Sequence, residues 1–170
     1  MTMISAVFIN LTRDHYDFHK TEEEYRNSKG KLFEKMVNPK RHLKVVNIDD
    51  PNSPFFVAQG NMDVPVVTLG MENSNADVFP LSFKFSLLRT EVLISTPTGI
   101  LEVSSGLIGR YNVYNILAAV AVGITIGASL EDITRGIESV DCVSGRFEII
   151  DGQQPFGVLV DFVHTPDALF

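Results

Sequence analysis

The sequence contains little cysteine, few clustered basic residues and no long apolar run. Cys142 is the only cysteine in 170 residues, so no disulfide can form within the chain and a reducing compartment is favoured. The formal net charge is −7, and the scattered Lys and Arg side chains argue against direct nucleic-acid binding, because neutralising phosphates requires clustered cations. The longest apolar stretch, 116–126, has about half the length that a membrane-spanning helix requires. We therefore expect neither nucleic acid nor a membrane as a partner.

Two sequence patterns are also absent. No G-x-x-x-x-G-K-[ST] motif occurs, since Gly30-Lys31 is followed by Leu32 and lacks an upstream glycine at the required spacing. Without this phosphate-binding loop, no backbone amides surround nucleotide phosphates and no lysine reaches the terminal phosphate. Residues 1–5 are too few, and lack the basic side chains, to form a targeting peptide. The sequence therefore predicts neither a complete ATP-phosphate site nor a targeting segment.

Short apolar segments alternate with helical patterns in the first part of the chain. Thr21 and Glu24 form a capping-box pattern, in which a hydroxyl and a carboxylate satisfy backbone amides at the start of a helix. The predicted elements are strand 5–9, helix 21–37, strand 43–48, helix 51–59 and strand 64–69. This alternation of strand and helix predicts an α/β fold with a parallel, doubly wound sheet.

The pattern changes after residue 76. Alternating apolar residues and a turn at 96–99 predict short antiparallel strands and hairpins over 76–105. Helices are predicted at 110–126 and 129–140, and the first is apolar enough to be largely buried. Residues 151–155 are typical of a linker, and a strand at 156–161 and a helix that begins at Thr165-Pro166 follow it. We expect a partial, mostly parallel sheet with an antiparallel hairpin subregion.

The most informative segment directly follows the first predicted strand. Residues 10–19 contain two histidines, two aspartates and an arginine, at the sheet edge where α/β proteins usually bind ligands. The neutral imidazole of His15 is a good ligand for a divalent cation, and Lys29 lies on the following helix. Taken alone, His15 is as easily a surface histidine, and Lys29 a solvated lysine. Together they suggest metal and phosphate chemistry.

Two further groups suggest nucleotide binding. Asn112 and Asn115 are three residues apart and share one helix face, and an amide that donates and accepts suits an adenine edge. Asn112 is alternatively a helix N-cap. Arg146, Asp161 and His164 flank the predicted linker and could contact phosphate and ribose hydroxyls, although each alone would more often be structural or exposed.

Five stretches resemble, in order, the motifs of the Mur ligases, and most closely those of the MurE type. They are the N-L-T-R-D-H-x-D-x-H pattern at 10–19 with a lysine fourteen residues after His15, V-N-I-D-D at 46–50, G-R-Y-N-V-Y-N-I-L-A-A at 109–119, G-R-F-E at 145–148 and V-D-F-V-H-T-P-D-A-L at 160–169. The resemblance covers nearly the whole chain. It implies that residues 1–147 belong to the central domain, without its phosphate loop, and that 148–170 begin a Rossmann-like carboxyl-terminal domain.

The resemblance also implies roles for the candidate residues. Lys29 would be carbamylated and, with His15, would hold Mg²⁺, because a carbamate oxygen can ligate the ion where an ammonium would repel it. Asn115 would contact adenine and Asp161 the ribose of ATP. The implied nucleotide-binding set is Asn112, Asn115, Arg146, Asp161 and His164. Glu102 lies in an E-V-S-S stretch that mimics a magnesium-binding segment of the family, but its position predicts an exposed strand residue.

A complete MurE-like ligase uses ATP to phosphorylate a carboxylate of a UDP-MurNAc-peptide, and an amine then displaces phosphate to form an amide. We expect this chain alone to be inactive. The first alternative is a non-catalytic interaction module with a protein partner, like the plastid MurE-like proteins associated with a transcription complex. The second is a sister ligase, such as MurF or folylpolyglutamate synthase, which the spellings of the His15 and His164 motifs disfavour. The expected compartment is the cytoplasm or the plastid stroma.

Overall fold

The computed structural model describes residues 3–12, 19–150, 152 and 156–162. Strands and helices alternate in its first part, which confirms the predicted α/β class. The elements are β1 (Ser5–Phe8), α1 (Glu22–Glu34), β2 (Leu43–Asn47), α2 (Ser53–Ala58), β3 (Val66–Leu69), β4 (Phe79–Phe85), β5 (Thr90–Thr96), β6 (Gly99–Ser105), α3 (Arg110–Thr125), α4 (Leu130–Glu138), β7 (Glu148–Ile149) and β8 (Leu159–Val160).

The first three strands form a parallel sheet in the order β1-β2-β3. Side chains of the central strand β2 alternate between two cores, because successive residues of a strand point to opposite faces. Val45 packs into the core that contains α3, whereas Val46 packs into the core that contains α1 and α2. Helices therefore cover both faces, and the predicted doubly wound arrangement is confirmed.

The core under α1 and α2 contains a cluster of aromatic rings and one buried amine. The rings of Phe8 and Phe56 stack with centroids 3.8 Å apart, and Phe33 meets Phe56 edge-on at 5.2 Å. Lys44 is fully buried on β2. Its Nζ donates to the carbonyl of Val57, near the end of α2, at 2.9 Å and to that of Asn61 at 3.2 Å. The cation therefore satisfies buried carbonyls, a favourable arrangement at a helix C-terminus.

Strands β4, β5 and β6 form a separate antiparallel sheet, as the sequence predicted. A single parallel bridge between Leu69 and Val78 links the two sheets. Val92 and Val103 face each other across β5 and β6 and are buried in the core that contains α3 and α4. Glu102 is exposed on β6, as expected from its position in the sequence.

The start of helix α1 agrees with the capping box that the sequence predicts, except for one hydrogen bond. The Thr21 hydroxyl accepts from the amide of Glu24 at 3.1 Å, as the capping box predicts, but the Glu24 carboxylate accepts from the amide of Lys20, at 3.0 Å. Helix α1 ends at Glu34 rather than near residue 37. His42 accounts for this, because its Nδ1 accepts from the amides of residues 37 and 38 at 3.0 and 3.2 Å and holds them off the helical path.

The carboxyl-terminal part differs most from the prediction. Only Leu159–Val160 of the predicted strand 156–161 is a strand, and it pairs antiparallel with Glu148–Ile149. The helix predicted at Thr165 lies outside the described residues, and the domain boundary after residue 147 stays a prediction. No helix in the described part of the chain combines the length and apolar character needed to cross a membrane.

Candidate functional site

The candidate site lies at the carboxyl edge of the parallel sheet, where the chain leaves β1, β2 and β3. The Asn47 side chain, at the end of β2, donates from Nδ2 to the carbonyl of Ile9, just after β1, at 2.7 Å. This hydrogen bond joins the exits of two neighbouring strands. In open α/β sheets, ligands bind outside this edge.

Asp49 directly follows β2 and holds the turn that follows β3. Its Oδ2 accepts from the amides of Met71 at 2.5 Å and Glu72 at 3.0 Å, and its Oδ1 accepts from the amide of Asn73 at 3.0 Å. The Tyr114 hydroxyl of α3 donates to Oδ2 at 2.9 Å. Asp49 therefore accepts at both carboxylate oxygens, with three donors at Oδ2 and one at Oδ1. It acts as an internal connector between β2, the turn after β3 and α3.

The Tyr114 hydroxyl is a donor that stays protonated. Burial, and then the hydrogen bond to the Asp49 carboxylate, raise the pKa of Tyr114 far above its ordinary value. The phenol is therefore neutral at physiological pH and joins the first turns of α3 to the end of β2.

Asp50 makes an equivalent connection on the other side of β2. Its Oδ2 accepts from the amide of Leu11 at 2.8 Å, and its Oδ1 accepts from the amide and side chain of Asn52 at 2.8 and 3.2 Å. Asp50 thus fixes the chain as it leaves β1 toward His15. His15 itself lies outside the described residues.

The predicted metal ligands are only partly described. Lys29 is exposed on α1, and its Nζ lies 4.8 Å from the ring centroid of Tyr25. The proximity of Lys29 and His15 stays a prediction. Within the described ranges, no group of three His, Cys, Asp or Glu side chains could hold a metal ion. Asp49 and Asp50 both hold internal hydrogen bonds at this edge, so we expect other side chains to supply most of the ligands for Mg²⁺.

Asn112 and Asn115 lie together at the start of α3, as their spacing predicts. The N-cap residue is Gly109, with a φ of 97°, and not Asn112. A glycine adopts this positive φ without steric cost, and the interpretation of Asn112 as an N-cap is wrong. Asn112 donates from Nδ2 to the carbonyl of Ile108 at 2.7 Å, and Asn115 donates from Nδ2 to Oδ1 of Asn112 at 3.0 Å. The Asn115 side chain is exposed.

Arg146 lies just before β7 and Asp161 just after β8, and the pairing of these strands brings the two residues near each other. The amide of Phe147 donates to Oδ2 of Asp161 at 3.2 Å, and the guanidinium carbon of Arg146 lies 5.9 Å from the ring centroid of Phe162. Phe147 has a φ of 48°, an uncommon conformation for a bulky residue, which the bond to Asp161 helps to hold. The third predicted member, His164, lies outside the described residues.

Residues 143–147, which we call the Arg146 turn, lie against the start of α3. A Cβ placed on Gly109 would be 3.9 Å from the ring of Phe147. Phe147 is the neighbour of Arg146, and Gly109 precedes the helix that carries Asn112 and Asn115. The structure therefore brings the segment that carries Arg146 next to the end of α3 that carries Asn112 and Asn115.

Sequence reasoning missed the connecting residues. Asp49 and Asp50 follow a strand at the ligand-binding edge, and this polar pair was a usable signal. The sequence gives no signal for the role of Tyr114, because its partner Asp49 is 65 positions away. Arg110 at the start of α3 forms an ion pair with Glu72, in the turn that Asp49 holds. Both side chains of this pair are exposed, so it contributes little to stability.

The Mur ligase middle domain model matches residues 1–123. This chain belongs to the Mur ligase family. One relative is the Arabidopsis thaliana UDP-N-acetylmuramoyl-L-alanyl-D-glutamate–2,6-diaminopimelate ligase MurE homolog, chloroplastic, to which the chain is 65% identical over 164 residues. The alignment covers 96% of this chain and 21% of the relative. The expected resemblance to the MurE type is confirmed.

Bacterial Mur ligases of the same type are also similar. The UDP-N-acetylmuramoyl-L-alanyl-D-glutamate–2,6-diaminopimelate ligase of Bacillus velezensis is 42% identical over 168 residues, which cover 96% of this chain and 34% of the relative. A solved structure of a ligase with this name superposes with a TM-score of 0.79 at 27% identity, over 97% of this chain and 34% of that chain. The chain thus spans about a fifth to a third of the length of these Mur ligases.

Proposed function

We propose that the start of α3 and the Arg146 turn form the adenosine-binding wall of a MurE-like ligase. Asn115 would contact the adenine edge of ATP, with Asn112 beside it, and Asp161 would accept from the ribose hydroxyls. The observation that supports this proposal is the proximity of the Phe147 ring to Gly109, since a Cβ built on Gly109 would lie 3.9 Å from that ring. Arg146 and His164 would contact the phosphates.

For the longer protein, we propose ATP-dependent amide-bond formation on a UDP-MurNAc-peptide. The substrate carboxylate would attack the terminal phosphorus of ATP, which gives an acyl phosphate and ADP. The amine of an amino acid would then attack the acyl carbon, lose a proton and displace inorganic phosphate. The name and 42% identity of the Bacillus velezensis relative support this activity. The chain covers only part of that relative, so the reaction belongs to a longer polypeptide.

His15 and a carbamylated Lys29 would hold Mg²⁺ in this protein. The exposed Lys29 amine fits this role because dissolved carbon dioxide can reach it. A bound Mg²⁺ ion would neutralise charge during phosphoryl transfer. We place the protein in the plastid stroma on the strength of the chloroplastic Arabidopsis relative.

Nucleotide binding by the chain itself tests this proposal. ADP should shift the backbone and Asn side-chain resonances at the start of α3 in a ¹⁵N-labelled sample. Asn115→Ala should weaken ADP binding about fivefold or more, because one hydrogen bond contributes roughly 1 kcal/mol. Asn75→Ala, at an exposed position in the turn after β3, is the matched control and should bind as the unsubstituted chain does. Absence of ADP-dependent shifts at millimolar ADP would refute the adenosine-binding role.

A second candidate function is a non-catalytic interaction module. An apolar strip on the edge strand β4 and the turn after it favours this candidate, because exposed apolar patches often mark interaction sites. The apolar strip consists of Leu81, Phe83, Phe85, Leu87 and Leu88, which are 37 to 90% exposed. For this function, Phe83→Ser with Phe85→Ser should abolish partner recovery from a plastid extract, whereas Asn115→Ala should not. Loss of the partner with Asn115→Ala would favour a nucleotide-linked function instead.

A further inference from the structure

Three groups at the start of α3 form a directed series of hydrogen bonds, which we call the amide relay. It consists of the Ile108 carbonyl, the Asn112 side chain and the Asn115 side chain. The Ile108 oxygen accepts from Asn112 Nδ2 at 2.7 Å, and Asn112 Oδ1 accepts from Asn115 Nδ2 at 3.0 Å. The partners are separated by four and three positions, so the helix itself brings them together.

The direction of the amide relay has a chemical cause. A backbone carbonyl can only accept, so Asn112 must turn its NH₂ group toward Ile108. The Oδ1 of Asn112 then faces Asn115, which must present its own NH₂ group. Rotating the Asn112 amide by half a turn would set two oxygens against each other at Ile108. Asn orientations are often ambiguous, but here the fixed carbonyl determines both of them.

The amide relay leaves Asn115 with a defined outward face. Its Oδ1 lies on the side opposite the NH₂ group that Asn112 engages, and among the described residues no donor reaches this oxygen. Its second N–H is not used by Asn112. Asn115 thus offers one acceptor beside one donor on an exposed side chain.

An apolar surface lies next to this polar face. Asn115 contributes to the wall of a groove between α3 and α4, of about 340 Å³. The groove wall also includes the small residues Ala119, Gly123 and Gly136. Ligand sites typically combine an apolar wall with a few oriented polar groups. The faces of a purine ring can pack against such a wall, while the polar edge of the ring can form hydrogen bonds with Asn115.

We propose that Asn112 is a positioning residue that makes this site select 6-aminopurines over 6-oxopurines. This inference rests on the proposed nucleotide-binding function. Adenine carries an amino donor next to a ring-nitrogen acceptor, which complements an Asn amide. Hypoxanthine carries an oxygen in place of that amino group, so the oxygen would face Asn115 Oδ1. Reversing the Asn115 amide to suit hypoxanthine would break its bond to Asn112.

The test compares ADP with IDP, its 6-oxo analogue, in titrations of the ¹⁵N-labelled chain. The unsubstituted chain should bind ADP about tenfold more tightly than IDP, since a mismatched polar group in a binding site is strongly unfavourable. Asn112→Ala frees the Asn115 amide to rotate, so the ratio of the two dissociation constants should fall to about twofold or less. Asn75→Ala should leave the ratio unchanged.

A second variant separates orientation from a purely structural role. Asn112→Asp sets a carboxylate oxygen against the Ile108 carbonyl, which is unfavourable and should loosen the helix start, but its other oxygen can only accept, so the Asn115 amide should keep its direction. Acidic residues are also tolerated near a helix N-terminus. We expect Asn112→Asp to weaken both nucleotides while retaining the ADP preference. The Asn115 side-chain NH₂ resonances should shift with ADP in this variant.

The outcomes distinguish a failure of this inference about Asn112 from a failure of the proposed nucleotide-binding function. An unchanged ADP preference in Asn112→Ala would show that Asn112 does not orient Asn115. Equal loss of the preference in Asn112→Ala and Asn112→Asp would mean that Asn112 acts only by supporting the backbone, and would overturn the inference while leaving nucleotide binding intact. Failure of the unsubstituted chain to bind either nucleotide would overturn the proposed function and this inference with it.

Discussion

The Tyr114 hydroxyl donates to the Asp49 carboxylate at 2.9 Å and joins α3 to the end of β2 across 65 positions of sequence. The same carboxylate holds three successive amides of the turn after β3. One side chain therefore fixes both the start of α3 and the turn after β3. The carboxyl edge of the parallel sheet therefore depends on internal hydrogen bonds of Asp49.

The loss of the hydrogen bond between Tyr114 and Asp49 should be measurable in unfolding experiments. Tyr114→Phe should lower the free energy of unfolding by about 1.5 kcal/mol, because it deletes a hydrogen bond to a charged group. Asp49→Asn should cost at least about 2 kcal/mol, because an amide NH₂ would face backbone donors. The measurement is urea denaturation, with Asp63→Asn as an exposed control that should change little. Additive effects in the Asp49→Asn, Tyr114→Phe double variant would contradict direct coupling.

The raised pKa of Tyr114 predicts a specific alkaline behaviour. The neutral phenol is favoured in the folded state, so its stabilising contribution is complete below its unfolded pKa of about 10. The contribution is lost as the pH rises toward the higher folded value. Absorbance titration of phenolate should therefore show a late component, above the ordinary tyrosine range, from one of the four tyrosines. Tyr114→Phe should remove this late component, and its persistence would assign it to another tyrosine.

Lys44 should contribute strongly to stability despite its charge. Lys44→Met keeps most of the side-chain volume but leaves the Val57 carbonyl without its donor, whereas the Asn61 carbonyl still accepts from the amide of Val64. A buried group left unsatisfied costs roughly 1–3 kcal/mol, so we expect a loss of about 1–3 kcal/mol in urea denaturation. The exposed Lys40→Met is the matched control. Equal denaturation midpoints for the two variants would refute this role of Lys44.

The predicted modification of Lys29 can be tested without the rest of the ligase. With ¹³C-labelled bicarbonate, a carbamate resonance should appear in the unsubstituted chain and in Lys31→Ala but not in Lys29→Ala. Both replaced lysines are exposed on α1, so they differ mainly in position. A signal that survives Lys29→Ala would contradict carbamylation of this residue.

We expect no ATP-dependent phosphate release from the chain alone, because its sequence contains no phosphate-binding loop to hold the ATP phosphates. A colorimetric phosphate assay checks this expectation. Release that is abolished by Lys29→Ala would show that the chain is active by itself and would contradict it.

Local features of the fold followed closely from the sequence. The capping residue Thr21, the alternating apolar residues of β5 and β6, and the three-residue spacing of Asn112 and Asn115 all act between near neighbours. Such patterns depend on the geometry of a single helix or hairpin. The end of α1 could not be predicted in the same way, because His42 decides it from the following segment.

The sequence by itself determined the α/β class, the order of most helices and strands, and the membership in the Mur ligase family. Only the tertiary structure decided that Asp49 and Asp50 hold internal hydrogen bonds, and that the Arg146 turn lies against Gly109. The physical reason is that a carboxylate that follows a strand has the same local sequence whether its partners are a metal, solvent or distant amides. The local sequence therefore cannot distinguish these three cases. The packing of β3 and α3 around β2 brings those amides within reach.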